Sequence, residues 1–132
     1  MVVTMNSDSK RRTYVEIKAL MPSEVDDILH RGNPLELRYA AISVSMFSDD
    51  YEWALSICLQ LTKNTDSIVR GNAIQSLGHL ARRFRKLDLN VVEPIYRSAL
   101  QERDEYIRSQ AEDMLDDIRY YLVLDSKWPL AD

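Results

Sequence analysis

Cysteine is nearly absent. Cys58 is the only one in 132 residues, so no disulfide can form within the chain. Its place in the apolar run Ala54, Leu55, Ile57, Cys58, Leu59 is that of a small buried hydrophobe, and a reducing, cytoplasmic compartment is expected. Glycine and proline are scarce as well, at three and four residues, which disfavours the many turns of an all-β fold and leaves room for long helices. No apolar stretch approaches the roughly 18 residues that a membrane span needs. Met1 to Arg12 hold no apolar segment ahead of a small-residue cleavage site, so neither a membrane anchor nor a secretory signal is expected. Positive charge is in deficit, with 17 Lys and Arg against 21 Asp and Glu for a net charge of −4. That balance disfavours a nucleic-acid binder held by phosphate contacts and suits a basic protein partner.

The length fits one domain. Residues 1–22 read as an N-terminal tail or extended segment, 23–124 as a helical domain and 125–132 as a C-terminal tail. Lys10, Arg11 and Arg12 lie in the polar stretch before residue 14, expected to fray. From Tyr14 to Leu20 the pattern alternates weakly, as in a short strand or an extended segment packed on the first helix. Helix punctuation then becomes regular. Ser23 precedes Val25, Ile28 and Leu29 as a cap, with a stop near Gly32. Asn33-Pro34-Leu35-Glu36 offers a cap, a first-turn proline and a reciprocal acid for a second helix to about Phe47. Ser48-Asp49-Asp50 opens a third helix with Trp53, Ile57 and Leu61 on one face, and Asn64-Thr65-Asp66 caps a fourth running through Phe84. Asn90 is expected to cap a fifth, with Pro94 in its first turn, and Arg103-Asp104 leads into a sixth through Leu122.

One pattern recurs three times in these helices: Leu37-Arg38-x-x-Ala41, Val69-Arg70-x-x-Ala73 and Ile107-Arg108-x-x-Ala111, each early in the second helix of a pair, with the arginines 32 and 38 residues apart. Asp66 and Asp104 precede two of the copies by three positions. The aliphatic residue and the alanine share a helix face and allow close approach of neighbouring pairs, while Asp and Arg are placed to tie the turns into a polar ladder. On these residues the chain resembles HEAT repeats, which implies an all-α, right-handed α-solenoid of about three HEAT-like helical pairs; the alternative is an irregular six-helix bundle. The repeats are shorter than the roughly 40 to 47 residues usual for that class. Val69-Arg70-Gly71-Asn72-Ala73-Ile74, Gly78-His79-Leu80-Ala81-Arg82, Leu87-Asp88 and Ala111 through Ile118 carry a further resemblance, over about residues 34 to 122, to short bacterial HEAT-like proteins that include immunity proteins of contact-dependent growth inhibition systems. That resemblance implies a protein that binds and neutralises a toxin domain delivered by a neighbouring cell.

Catalytic and ligand chemistry is thinly represented. His30 and His79 lie at no metal-ligand spacing from each other or from Cys58, and Gly32, Gly71 and Gly78 fit no phosphate-binding fingerprint, so neither metal nor cofactor is expected. Gly71 and Gly78 read instead as points of close helix contact. Glu112, Asp113, Asp116 and Asp117 place carboxylates at i, i+3 and i+4 on one helix surface, readable as a solvated face or as a partner-contacting patch, with catalysis the least supported option. Arg82, Arg83, Arg85 and Lys86 read as cations at a helix C-terminus. HEAT-like alkylpurine glycosylases hold DNA on a basic surface, which this acidic and shorter chain lacks, so no enzyme is expected.

The floor of the second-helix layer is the expected binding face. Asn72, Gln75, His79 and Arg83 on the fourth helix shift by 38 onto Gln110, Asp113, Asp117 and Tyr121 on the sixth. The candidate partner-binding residues are Gln75, His79, Arg83, Asp113, Asp116, Asp117 and Tyr121, together with Asp49, Asp50 and Tyr51 at the start of the third helix; Trp53 reads as core. The resemblance and the charge together imply a basic nuclease toxin as partner, occluded at its active site, with no direct nucleic-acid or membrane contact. A generic HEAT-like adaptor is the alternative, and the oligomeric state is not legible.

Overall fold

The computed structural model describes residues 2–8, 11–122 and 128–129. Six helices follow one another: α1 (Pro22–Arg31), α2 (Pro34–Phe47), α3 (Tyr51–Leu61), α4 (Ser67–Phe84), α5 (Leu89–Leu100) and α6 (Glu105–Tyr121). Ahead of them, β1 (Val2–Asp8) and β2 (Arg11–Glu16) pair antiparallel, Val3 opposite Val15 and Asp8 opposite Arg11. The stretch expected to fray is therefore a two-stranded ribbon over these residues, in line with its β-branched and aromatic content; the fold is otherwise all-α. Apart from Trp128 and Pro129, the expected C-terminal tail lies outside the described residues.

Most helices begin where a side chain satisfies the orphan amides of the first turn. Asn33 accepts from the amide of Leu35 at 2.9 Å, Asp50 from Trp53 at 3.1 Å, Asp66 from Ile68 and Val69 at 3.0 Å each, and Asp104 from Tyr106 at 2.8 Å. Three expectations are corrected. Pro22 occupies the first position of α1, so Met21 rather than Ser23 precedes the helix, and the Met21 amide donates to Glu24 at 3.0 Å. Glu36 does not reach back to its cap; Arg31 engages both its oxygens at 2.9 and 2.7 Å. Helix α5 starts at Leu89 rather than after Asn90, which puts Pro94 in its second turn and leaves the Asn90 carbonyl without an i+4 donor.

The second helices of the three pairs lie side by side, with α4 between α2 and α6; α1 packs on α2, α3 on α2 and α4, and α5 on α6 and α4. Between the two layers sits one apolar core that includes Ile74, Leu77, Leu80, Ile107, Met114 and Ile118. Cys58 is within it, and burial pushes its thiol up to about 12, leaving it an inert hydrophobe. The closest seam is α4 on α6. A Cβ on Gly71 would stand 2.7 and 2.9 Å from Tyr106 ring carbons, and one on Gly78 would stand 3.2 Å from the Met114 Cα. Both glycines are there for close approach.

A polar ladder reinforces the stack along its turn edge. Arg38 of the first pair donates to Asp66 of the second, the shorter contact being 3.1 Å, and Arg70 of the second pair donates to both oxygens of Glu102 in the third at 3.1 and 2.6 Å. Arg70 also holds the carbonyls of Asn64 and Thr65, and Arg108 the carbonyl of Glu102. Burial alone would raise the Asp66 carboxyl, but the hydrogen bonds from Arg38 and the Val69 and Ile68 amides outweigh it and hold the carboxyl below its ordinary range. Each rung is half-exposed and bidentate, contributing on the order of 1 kcal/mol.

Two expected outcomes follow from this packing. Replacing Gly71 with Ala improves intrinsic helix propensity by about 1 kcal/mol, yet the new methyl meets a Tyr106 ring whose hydroxyl is hydrogen-bonded to Asn72. Overpacking of about 1–3 kcal/mol should dominate, seen as a lower urea midpoint; a raised midpoint would mean that the α4–α6 seam is loose. The second outcome concerns His79, which is 8% exposed with Nδ1 3.3 Å from Ser45 Oγ. Burial first and Arg82 second lower its pKa from 6.5 to about 4. The folded protein then resists a proton that the unfolded chain accepts, so this stability is complete above about pH 6.5 and declines as pH falls toward 4, by at most about 3 kcal/mol. Urea midpoints from pH 7 to 4 should fall, less steeply for His79→Gln; an identical decline in that variant would contradict the assignment.

Candidate functional site

The expected binding row divides once the helices are stacked. Helix α4 is flanked on both sides, so three of its four row residues face neighbours instead of solvent. Asn72 donates to the Arg38 carbonyl at 2.7 Å and accepts from Tyr106 and Gln110. His79 turns toward Ser45 of α2. Arg83 donates to the carbonyls of Ser45 and Ser48, at 3.0 and 2.6 Å, near the end of α2. Gln75 remains half-exposed and meets Gln110 at 3.5 Å. His79 is therefore corrected from a contact residue to a packed one, and Arg83 offers a partner only what its structural hydrogen bonds leave.

Among the described residues, α6 has α4 as its one neighbour within the second-helix layer, α5 packs on it from the other layer, and near its end Arg119 donates to the Trp128 carbonyl at 2.8 Å. Asp113 and Asp116 are exposed; Asp117 is half-buried against α4, where a Cβ on Gly78 would lie 2.8 Å from its Oδ2. Burial, with Asp113 and Asp116 adding to it and Arg82 opposing, raises the Asp117 carboxyl. Of the four carboxylates of the acidic patch, Glu112, Asp113 and Asp116 are exposed and Asp117 belongs partly to the seam. Among the described residues no group of three or more His, Cys, Asp or Glu is placed to hold a metal ion, and no helix is long and apolar enough to cross a membrane.

The remaining candidates converge where α4 ends. Arg83 reaches the fully exposed Asp49 at 3.4 Å, while Asp50 beside it caps α3. Tyr51 meets the Phe84 ring edge-on at 5.4 Å between centroids and carries the Lys86 ammonium 4.4 Å from its own. Burial, then Glu52, raises the Tyr51 phenol. Tyr121 lies under the Arg85 guanidinium at 4.8 Å and against Tyr120 at the same centroid distance. The start of α3 and the ends of α4 and α6 therefore form one surface of tyrosine, arginine and carboxylate. Tyrosine and arginine are enriched where proteins bind proteins, because such side chains give large contact areas with directional hydrogen bonds. Trp53 is half-buried against the core as expected.

Arg85 and Tyr120 are members that sequence reasoning missed. Tyr120 lies one turn beyond Asp116 and is 75% exposed, so helical spacing from the acidic patch was signal enough to find it. Arg85 ends α4 at φ 56°, ψ 31°, in the left-handed region, which no local motif announces. For a non-glycine residue that conformation costs about 1–2 kcal/mol, and an exposed cation over a tyrosine returns about 0.5–1 kcal/mol.

A groove of about 240 Å³ opens between α3 and α5, lined by Ile74, Ile95, Lys63, Arg70 and Glu102 among others. Its charged lining is already committed to the Arg70–Glu102 rung.

No protein-family model matches the chain, and no curated protein matches it. Among solved structures it is similar to a chain in the crystal structure of the CDI complex from Cupriavidus taiwanensis LMG 19424, with 32% identity and a TM-score of 0.70, over 83% of this chain and 96% of that one. Identity of that order across nearly the whole of the other chain, on a fold of stacked helical pairs, places this protein in the family of immunity proteins of contact-dependent growth inhibition systems.

Proposed function

We propose that this protein binds and neutralises a cognate toxin domain in the cytoplasm, that the toxin is a basic nuclease, and that the mechanism is steric occlusion of its active site by an inhibitor with no catalytic activity of its own. The observation that carries the reading is the 32% identity, across 96% of its length, to a chain of a CDI complex. The surface supports it. An acidic face on α6 adjoins a tyrosine- and arginine-rich edge, suited to steering a basic partner and then anchoring it. The three stacked pairs are read as HEAT-like repeats that display this face on a rigid scaffold.

The test is charge reversal at two exposed carboxylates, Asp113→Lys with Asp116→Lys; Asp117 is left intact because it lies in the α4–α6 seam. Stability should change by about 0.5 kcal/mol or less. Association with the cognate toxin domain should slow at low ionic strength and become less salt-dependent, since long-range attraction acts mainly on encounter and is screened by salt. Protection of toxin-expressing cells should weaken in parallel. Unchanged association rates with full protection would reduce the patch to a solvated face, and failure of the parent to bind would overturn the immunity reading.

A further inference from the structure

Helix α4 terminates on a residue that its backbone disfavours. Helix α1 ends in the same left-handed region on Gly32, at φ 67°, where the missing Cβ removes the steric conflict. At the end of α4 the chain uses Arg85 instead, at φ 56°. Nothing in the helical core requires that side chain: it is exposed, and among the described residues its guanidinium donates no hydrogen bond. Its neighbours are occupied, Arg83 on carbonyls of α2 and Arg82 on the Met46 sulfur at 3.1 Å. Among the described residues the Arg85 guanidinium is positioned only over the Tyr121 ring, which in turn meets the largely exposed Tyr120. Backbone strain retained beneath an exposed, oriented side chain points to a role outside the chain's own stability.

We propose that Arg85, oriented by Tyr121, anchors the partner by binding a carboxylate of the toxin domain on its exposed N–H edge, with Tyr120 packing beside it; this rests on the immunity reading. An aromatic ring that holds one face of a guanidinium leaves its edge donors available, and their fork geometry matches a carboxylate. A phosphate has the same chemistry. The net charge of −4 opposes the polyanionic backbone of a nucleic acid far more than a single carboxylate set in a basic protein surface, and the partner group is assigned to protein.

The experiment compares the full chain with its Arg85→Gly and Arg85→Lys variants in binding to the cognate toxin domain. Arg85→Gly should melt at the same temperature or a few degrees higher, because glycine relieves the left-handed turn, and should bind at least about tenfold more weakly, chiefly through faster dissociation. Arg85→Lys keeps charge and strain without the planar fork and should also lose affinity severalfold. Binding by Arg85→Gly within twofold of a tightly binding parent would overturn the proposal while leaving the immunity reading in place. A melting temperature several degrees below the parent would overturn it by showing Arg85 to be structural. Parent binding to a short RNA duplex that Arg85→Gly abolishes would reassign the residue to phosphate. Absence of binding by the parent would instead bring down the immunity reading on which the proposal stands.

Discussion

The close approach of α4 to α6 is the constraint on which the rest of the structure depends. Two glycines a double turn apart, Gly71 and Gly78, let Tyr106, Gln110, Met114 and Asp117 settle onto α4 where any Cβ would stand within 2.7 to 3.3 Å of them. That distance makes possible the buried hydrogen bonds among Asn72, Tyr106 and Gln110, which satisfy polar groups that would be costly to leave unpaired. It also places the end of α6 within reach of Arg85. The arginine rungs at the turn edge set the spacing of the pairs; the glycines set how tightly the last two close.

This arrangement explains why the candidate surface lies at an end and an edge of the layer rather than across its floor. A middle helix shares both flanks with neighbours, and its polar residues become seam bonds, as with Asn72, His79 and Arg83. Among the described residues the terminal helix has a layer neighbour on one flank only, and Asp113, Asp116 and Tyr120 are exposed. The two kinds of polar residue look alike in sequence and differ only in what stands beside them.

The legible part of the fold was the local part. Asp50, Asp66 and Asp104 cap helices because a carboxylate two or three residues ahead of unpaired amides has one favourable place to go. The recurrent aliphatic-Arg-x-x-Ala pattern identified the second helices because in every copy the aliphatic residue and the alanine are buried on one helix face. Where a residue had two possible partners, the sequence was ambiguous: the polar ladder directs Arg70 toward the next turn, which offers both Glu102 and Asp104, and Glu102 accepts it. Of the N-terminal ribbon only the end of β2 was anticipated, in the weak alternation from Tyr14; the first strand was not, because its alternation is short and interrupted by polar residues. Within the site, the acidic face and the aromatic start of α3 were visible as composition. Their convergence with the end of α4, and the left-handed Arg85, depend on tertiary packing.

The central claim is that a protein partner docks on the surface formed by the end of α4 and the outer face of α6. Chemical-shift mapping tests it most directly: an isotope-labelled chain is titrated with the toxin domain while every assigned backbone amide is followed. The account predicts that the largest perturbations fall on Arg83 to Lys86 and on Asp113 to Tyr121, with smaller ones at Asp49 to Tyr51. Perturbations concentrated on the opposite layer, around Lys63, Ile95 and Ser98, would contradict it.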